Sequence, residues 1–472
     1  MSKIKKDSFF ASSLTRENKF QNYHTFNDWL KERCRPEEFK VEQVPLGKME
    51  KWSLDEEGVR ISHESGRFFH IEGVHVKTNF GGDLEWDQPI INQPEIGFLG
   101  FITRVFDGTR YFLMQAKMEP GNINTLQISP SLQATKSNFS QVHKGKRPTF
   151  LEFFNGEKNV KILSDHLQTE QGGRFYQKRN RNIVIEIDED IELPDEFCWL
   201  TLGELKALLR EDNILNMDTR SVLSTIPLIE DEVIARLEPY DLLDLRTTLS
   251  HNGKKFLKSF VSKDSINTIE GLLSWYTKQK TQWELEVTKR PLSQLDGWKI
   301  NKMAVEGDER FFSVIGVKVT AGSREVTHWM QPLLSDSHIG LLAFVCQHIN
   351  GVLHFLVQAK VEPGNLDIIE LSPTVSCSNY EYVKTKTQRP FMFDEVFDSS
   401  TAILYDALQS EEGGRFYQIQ NRNMIVQIPE DKKIELPYNY AWMTLAQMKD
   451  FMRYGMFNIE ARSIISAISF ID

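Results

Sequence analysis

The stretch GGRFYQKRNRNI at 172–183 returns as GGRFYQIQNRNM at 413–424, and this pair decides how the chain is organised. The two copies agree at 9 of 12 positions, where unrelated positions agree about one time in twenty on average residue usage. The spacing holds outside the pair. MQAKMEPGN (114–122) returns as VQAKVEPGN (357–365), so Gln115 and Gln358 lie 243 positions apart, Gly172 and Gly413 241 apart, and Trp199 and Trp442 243 apart. Shorter echoes extend the match: Arg67-Phe68-Phe69 with Arg310-Phe311-Phe312, WDQP (86–89) with WMQP (329–332), and Arg220-Ser221 with Arg462-Ser463. The chain is a tandem duplication. Residues 1–230 and 263–472 read as two similar domains joined by 231–262, a partly helical connection containing Pro239 and the polar run His251-Asn252-Gly253-Lys254-Lys255. Two copies, each large enough for its own core, argue for domains rather than a solenoid.

The composition limits the function classes. With 472 residues, 40% hydrophobic and 26% charged, the chain can bury full cores without disulfides or a structural metal. A net charge of −10 gives no general attraction to nucleic acid or to an anionic membrane. Cys34, Cys198, Cys346 and Cys377 include no close pair for zinc and read as reduced thiols. MSKIKKDSFF at the start leads into polar residues rather than an apolar run, and no stretch of 18 apolar residues occurs. The expectation is a cytoplasmic protein with no nucleic-acid and no membrane partner.

Local patterns point to strands followed by helices in each half. RFFHIEGVHV (67–76) alternates as a strand does, and FLGFITRVF, Asp107-Gly108, TRYFLMQAKM is a hairpin signal repeated around Asn350-Gly351. VKILSDHLQTE (160–170) reads as a helix with Ile162, Leu163 and Leu167 on one side. Thr201-Leu-Gly-Glu204 is a capping box opening LGELKALLRED, and Thr444-Leu-Ala-Gln447 repeats it. The fold class expected is α+β, with mixed sheets and flanking helices.

No dinucleotide fingerprint, P-loop, HExxH, GxSxG or EF-hand string occurs, and the scattered histidines suggest no metal site. What repeats is a polar set. Gln115, Lys117 and Glu119, matched by Gln358, Lys360 and Glu362, alternate along a strand and share one face, as a site wall would. The same pattern also fits the solvated face of an edge strand with a weak surface ion pair. After the glycine pairs, Arg174 and Tyr176, matched by Arg415 and Tyr417, offer a fork for phosphate and a hydroxyl for proton transfer. An ordinary structural Arg–carboxylate pair accounts for the arginines equally well. Trp86 and Trp329 could stack on a nucleobase or simply pack. The loop with Thr135, Lys136, Ser137, Asn138, His143, Lys144, Lys146 and Arg147 is locally basic and could grip a diphosphate, or be a solvated loop.

Taken together, ISPxxQATxSN (128–138), RPxxLEFF (147–154), EQGGRFYQxxNRN (170–182), LNMDTRSVLS (215–224) and the second-half QAKxEPGN, RPxxFDEV and NIEARSIIS blocks resemble the NDP-hexose 2,3-dehydratases. The resemblance covers nearly the whole chain. It implies tandem Nudix-like domains, a homodimer, no dissociable redox cofactor, and a dTDP-4-keto-6-deoxyhexose substrate in deoxysugar biosynthesis, with a downstream 3-ketoreductase taking the product. The chain lacks the REx2EExG metal helix of Nudix hydrolases, so metal-dependent diphosphate hydrolysis is not expected.

In such a reaction the C-4 ketone acidifies the C-3 hydrogen, a base removes it, and the C-2 hydroxyl leaves with acid help. Residue chemistry suggests Tyr176 or Tyr417 with Lys117 or Lys360 for proton transfer and enolate stabilisation, and Glu119 or Glu362 as the alternative base. Arg174 or Arg415, with Arg147 or Arg389, would hold phosphate. Thr135, Lys136 and His143 have no counterpart in the second half, yet the sequence does not choose which copy keeps the chemistry. A noncatalytic nucleotide-sugar binding protein is the alternative, and a metal-dependent nucleotide-sugar hydrolase a third reading.

Overall fold

Each repeat raises a seven-stranded sheet around its hairpin. A computed structural model describes residues 6–35, 37–136, 147–236, 248–308, 312–322, 327–386 and 389–471. In the first repeat the hairpin strands Phe98–Phe106 and Thr109–Met118 occupy the middle of the sheet. Phe98–Phe106 pairs in parallel with Arg179–Glu186, and Thr109–Met118 pairs antiparallel with Phe197–Thr201 and with Leu126–Pro130. The second repeat does the same with Gly340–Ile349, Val352–Lys360, Gln420–Gln427, Tyr440–Met443 and Glu370–Ser372. Asp107 and Asn350, at φ 49° and 51°, each precede a glycine and supply the left-handed residues that the two-residue turns need. The fold is α+β. Both capping boxes form, on the helices Leu202–Leu208 and Leu445–Arg453.

The expected helix over 160–170 is not present: Lys161–Thr169 is a strand, antiparallel to Arg179–Glu186. Its outward residues are apolar, Ile162 being 53% and Leu167 40% exposed, while its inward ones, Ser164 and Gln168, are polar. Those polar side chains donate to the carbonyls of Thr225 and Met452, so burial and hydrophobicity run in opposite phase and the helical reading fails. A bulge between Ile162 and Ser164 shifts the phase further.

The repeats interlock through two smaller sheets. The first repeat's Phe39–Val44 pairs with Ser313–Ala321 of the second, from Phe39 opposite Ala321 to Val44 opposite Gly316. Its counterpart Leu285–Arg290 pairs with His70–Thr78 of the first, from Leu285 opposite Thr78 to Arg290 opposite Gly73. Each copy therefore gives its leading strand to the other. Gly73 and Gly316 admit the guests: a Cβ on Gly73 would lie 2.4 Å from the Arg290 carbonyl oxygen, and one on Gly316 3.0 Å from that of Val44.

The matching helices Met217–Ser224 and Ile459–Ser466 meet between the two repeats, and every residue of the first is buried. Arg220 and Arg462 are 1% and 0% exposed. Each reaches across the junction. Arg220 donates from Nε to Ser463 Oγ (2.8 Å), and from its Nη atoms to the Leu215 carbonyl (2.6 Å), Gln409 Oε1 (3.2 Å) and the Ser410 carbonyl. Arg462 donates to the carbonyls of Phe457 (2.7 Å) and Thr169 (2.5 Å). A guanidinium out of water must meet acceptors in this way, and these acceptors tie the repeats together. The largest apolar cluster runs through both repeats, with Phe101 and Phe112 of one and Phe344 and Phe355 of the other fully buried. The connection is helical over Asp231–Arg236 and His251–Val261.

Candidate functional site

Each Glu-Pro-Gly-Asn turn docks on the Gly-Gly-Arg-Phe-Tyr segment of the other repeat. Gly121 N donates to the Gly413 carbonyl (2.7 Å), and Gln418 N donates back to the Gly121 carbonyl (2.8 Å). The mirror contacts are Gly364 N to the Gly172 carbonyl (2.7 Å) and Gln177 N to the Gly364 carbonyl (2.8 Å). Gln177 and Gln418 take left-handed φ of 49° and 53° to make them. The two motifs that dominate the sequence therefore meet across the repeats and form two composite sites.

In the first site Lys117 Nζ lies 3.2 Å from Glu119 Oε1, which also accepts from Gln133 Nε2 (3.0 Å). Asn216, capping the helix Met217–Ser224, donates to Gln133 Oε1 (3.1 Å) and so places Asp218 at the same end of that helix. From the second repeat come Glu412 and Arg415, whose Nη2 donates to Gln93 Oε1 (3.2 Å) while its guanidinium lies 4.2 Å from the Phe69 ring centroid. Lys178, donating to the Glu95 carbonyl, and Glu170, accepting from Asn180 (2.7 Å), complete the charged set. Glu119 Oε2, Arg415 Nε and Gln93 Nε2 are buried and find no hydrogen-bond partner among the described residues.

The second site repeats this with changes. Lys360 Nζ lies 2.8 Å from Glu362 Oε1 and donates to Ser376 Oγ (3.1 Å). Glu460 stands where the first site has Asp218, and its Oε2 is buried without a partner among the described residues. Arg174, from the first repeat, lies 4.1 Å from the Phe312 ring centroid, beside Asp336, Glu362, Glu411 and Glu460.

Burial sets the proton affinities. It pushes Glu412 up to about 7, helped by Glu119 and Glu170 and opposed by Arg415 and Lys178. Glu460 is likewise raised to about 7 by burial and by Glu362. Burial, with Glu412, Glu170 and Glu119 around it, holds the Asp218 carboxyl well above the usual range. Burial alone would lower Lys360, but Glu362 and Glu460 outweigh it and keep the ammonium charged. Each site thus holds a cation beside an acid that titrates near neutrality, the combination that proton transfer requires.

The other expected residues fall around these centres. Gln115 and Gln358 are half-buried on the strands carrying Lys117 and Lys360. Trp86 Nε1 donates to Gln88 Oε1 (2.9 Å), and Gln88 Nε2 to the Gly173 carbonyl (2.9 Å). Trp329, Gln331 and Gly414 repeat that relay at 2.9 and 2.8 Å, so both indoles hold the glycine pairs in place. Tyr176 packs beside Val74, Val76 and Ile90 under Lys289, and Tyr417 against the apolar cluster that contains Phe39, Val317 and Leu333. Arg147 pairs with Glu157 (2.6 Å), and Arg389 with Asp394, both in exposed local contacts. Thr135 is half-buried and Lys136 exposed; Ser137, Asn138 and His143 lie outside the described residues. A separate cavity of about 250 Å3, lined by Lys206, Lys449, Arg453, His166 and a mixture of hydroxyl and apolar side chains, contains none of the candidate site residues.

Asp218, Glu460, Glu412 and Glu170 escaped the sequence reading. Their only signal was repetition: Met-Asp-Thr-Arg against Ile-Glu-Ala-Arg, and Glu-Gln-Gly-Gly against Glu-Glu-Gly-Gly.

Among solved structures, the C. elegans Ap4A hydrolase is 12% identical, with a TM-score of 0.19 over 28% of this chain and 94% of its own. An ADP compounds hydrolase is 17% identical, with a TM-score of 0.22 over 36% of this chain and 92% of its own. Both likenesses are too slight to bear on function. Curated relatives are much nearer. Proteins named dTDP-4-dehydro-6-deoxy-alpha-D-glucopyranose 2,3-dehydratase are 40% identical in Saccharopolyspora spinosa, covering 98% of this chain and 94% of the relative, and 37% identical in Amycolatopsis orientalis, covering 98% and 93%. A Streptomyces violaceoruber protein of the same name is 37% identical over 94% of this chain and 96% of its own. The NDP-hexose 2,3-dehydratase family model matches twice, at residues 23–226 and 269–468, one match on each repeat. The chain belongs to the NDP-hexose 2,3-dehydratase family.

Proposed function

We propose that the protein eliminates water across C-2 and C-3 of a dTDP-4-keto-6-deoxyhexose, giving the 3,4-diketo-2,6-dideoxy sugar, in the cytoplasm and as a homodimer. A downstream 3-ketoreductase would consume the product. The observation that carries this reading is the pairing, twice, of a strand lysine and glutamate with acids and an arginine from other elements, several of them contributed by the opposite repeat. The names of the three relatives support the same substrate.

The chemistry needs no external electron acceptor, because the C-4 ketone of the substrate takes up the electron pair of the C-3–H bond. What the chain must supply is a proton acceptor, a donor to the enolate oxygen and an acid for the departing hydroxyl. Lys360, kept charged by Glu362 and Glu460, is suited to the donor role, and Lys117 occupies the matching place. Glu119 and Glu362 hold these ammonium groups in position, and Arg415 and Arg174 offer guanidinium groups for a diphosphate. Tyr176 and Tyr417, in the same segments as Arg174 and Arg415, are the further proton carriers this reading admits.

The reading is tested by incubating the protein with dTDP-4-keto-6-deoxyglucose and a chelator, with a 3-ketoreductase present to trap the diketone, and following mass. A product lighter by one water and then reduced is expected. Saturable binding without that product would favour a noncatalytic role, and sugar phosphate release dependent on magnesium would favour a hydrolase.

A further inference from the structure

The two composite sites share their lysine, their strand glutamate, their arginine and a helix acid; they differ at Gln93 against Asp336, which accepts from His338 N (2.9 Å), at Gln133 against Ser376, at Lys178 against Ile419, and next to the glycine pair. The second repeat contributes Glu412 to the first site; the first repeat has Gln171 at the matching position. The difference sits where proton chemistry would be felt. A Cβ placed on Gly414 would lie 2.9 Å from Glu412 Oε1 and 3.8 Å from Glu119 Oε1, so two carboxylates converge on one point of the backbone. A Cβ on the equivalent Gly173 would meet only Glu362 Oε1, at 3.5 Å. Both sites hold buried polar atoms without partners among the described residues: Glu119 Oε2, Arg415 Nε and Gln93 Nε2 in the site containing Glu412, and Glu460 Oε2 and Gln171 Oε1 in the other. An amide at this position can orient a sugar but cannot accept a proton, whereas a carboxylate can.

We infer that Glu412 is the group that takes the C-3 proton, and hence that the dehydration occurs in the first composite site, on a carboxylate supplied by the second repeat. The inference rests on the dehydratase reading. In the step proposed, a Glu412 carboxylate oxygen bonds to the C-3 hydrogen as a proton, and the C-3–H electron pair becomes the C-3–C-4 double bond. The charge gathers on O-4, beside the Lys117 ammonium. The enolate then re-forms the C-4 carbonyl, its C-3–C-4 electron pair becomes the C-2–C-3 double bond, the C-2–O bond breaks with its own pair, and the hydroxide leaves as water on taking a proton from Asp218. Return of the Glu412 proton to C-2 and of the C-3 enol proton to Asp218 completes the tautomerisation and restores both groups.

Burial and the neighbouring Glu119 and Glu170, against Arg415 and Lys178, leave Glu412 ionising at about 7, with Asp218 the other acid facing it. A base must be unprotonated to act, so activity should rise with pH through neutrality.

The test is Glu412→Gln, which keeps the shape of the side chain and copies the second site. In deuterium oxide the wild type should exchange the C-3 hydrogen of dTDP-4-keto-6-deoxyglucose and dehydrate it. The variant should lose both by about 100-fold or more, the usual worth of a general base, while its affinity for dTDP-glucose changes by less than about threefold. Dehydration and exchange within about threefold of wild type would overturn the assignment while leaving the dehydratase reading intact; a wild type that does neither would overturn both. Should the variant not fold, Glu412→Asp decides: C-3 exchange slowed by at least about tenfold, with a displaced pH profile, supports Glu412, and exchange with the rate and pH dependence of the wild type overturns it.

Discussion

Gly121→Ala should destabilise the protein by about 3 kcal/mol or more, the top of the range for a methyl group forced into filled space, because the obstacles cannot give way. The added Cβ would stand 1.6 Å from the Phe416 carbonyl oxygen and 2.8 Å from that of Gly413. Both obstacles are backbone, and both belong to the segment that carries Arg415 and Tyr417. Relief requires the Glu-Pro-Gly-Asn turn to back away, which breaks the hydrogen bonds from Gly121 N to Gly413 and from Gln418 N to Gly121. The first composite site would come apart with them. Gly364→Ala is its counterpart, with Cβ 1.7 Å from the Phe175 carbonyl oxygen. Gly47→Ala is the control, since nothing lies within 4 Å of its added methyl. Thermal unfolding measures the difference, and a Gly121→Ala variant as stable as Gly47→Ala would show that the turns do not dock as described.

The second large effect is on turnover. Lys117→Met should lower kcat by about 10²–10³-fold, the loss typical when a donor to a developing oxyanion is removed from a dry site. The residue is 20% exposed at its side chain and its ammonium is 3.2 Å from Glu119, so the variant loses the cation and leaves the Glu119 carboxylate, among the described residues, with Gln133 as its hydrogen-bond partner. Part of the loss should therefore appear in KM. Steady-state kinetics with the coupled ketoreductase assay separate the two. Lys360→Met, which removes the equivalent cation from the second site, is the comparison. A loss at Lys360 larger than that at Lys117 would move the chemistry to the second site and contradict the role given to Glu412.

Much of this architecture could be read from the sequence because its signals are local. The turn at Asp107-Gly108, the capping boxes at Thr201 and Thr444, and the duplication itself each depend on a few neighbouring residues. The Lys117–Glu119 and Lys360–Glu362 pairs were legible for the same reason, as residues two apart on a strand face one way. The solvated edge strand suggested as an alternative for this face does not occur: Thr109–Met118 is paired on both sides, and Glu119 is 6% exposed.

What could not be read is whatever crosses between repeats. Nothing local links Gly121 to Gly413, or Phe39–Val44 to a strand that begins at Ser313. The strand Lys161–Thr169 defeats the helical reading because its buried Ser164 serves the Thr225 carbonyl of its own repeat and Gln168 the Met452 carbonyl across the junction, which calls for polar rather than aliphatic side chains. Asp218 and Glu460 were passed over because an acid inside an otherwise buried helix has no periodic signature; its meaning comes from Lys117 or Lys360, which arrive from a strand about a hundred residues earlier in the chain.

The central claim is that each site is built by both repeats. A crystal structure of the protein with dTDP-glucose bound tests it most directly. The account predicts a hexose within hydrogen-bonding distance of Lys117 from the first repeat and of Glu412 or Arg415 from the second. A hexose held by residues of a single repeat, or bound away from both Glu-Pro-Gly-Asn turns, would contradict it.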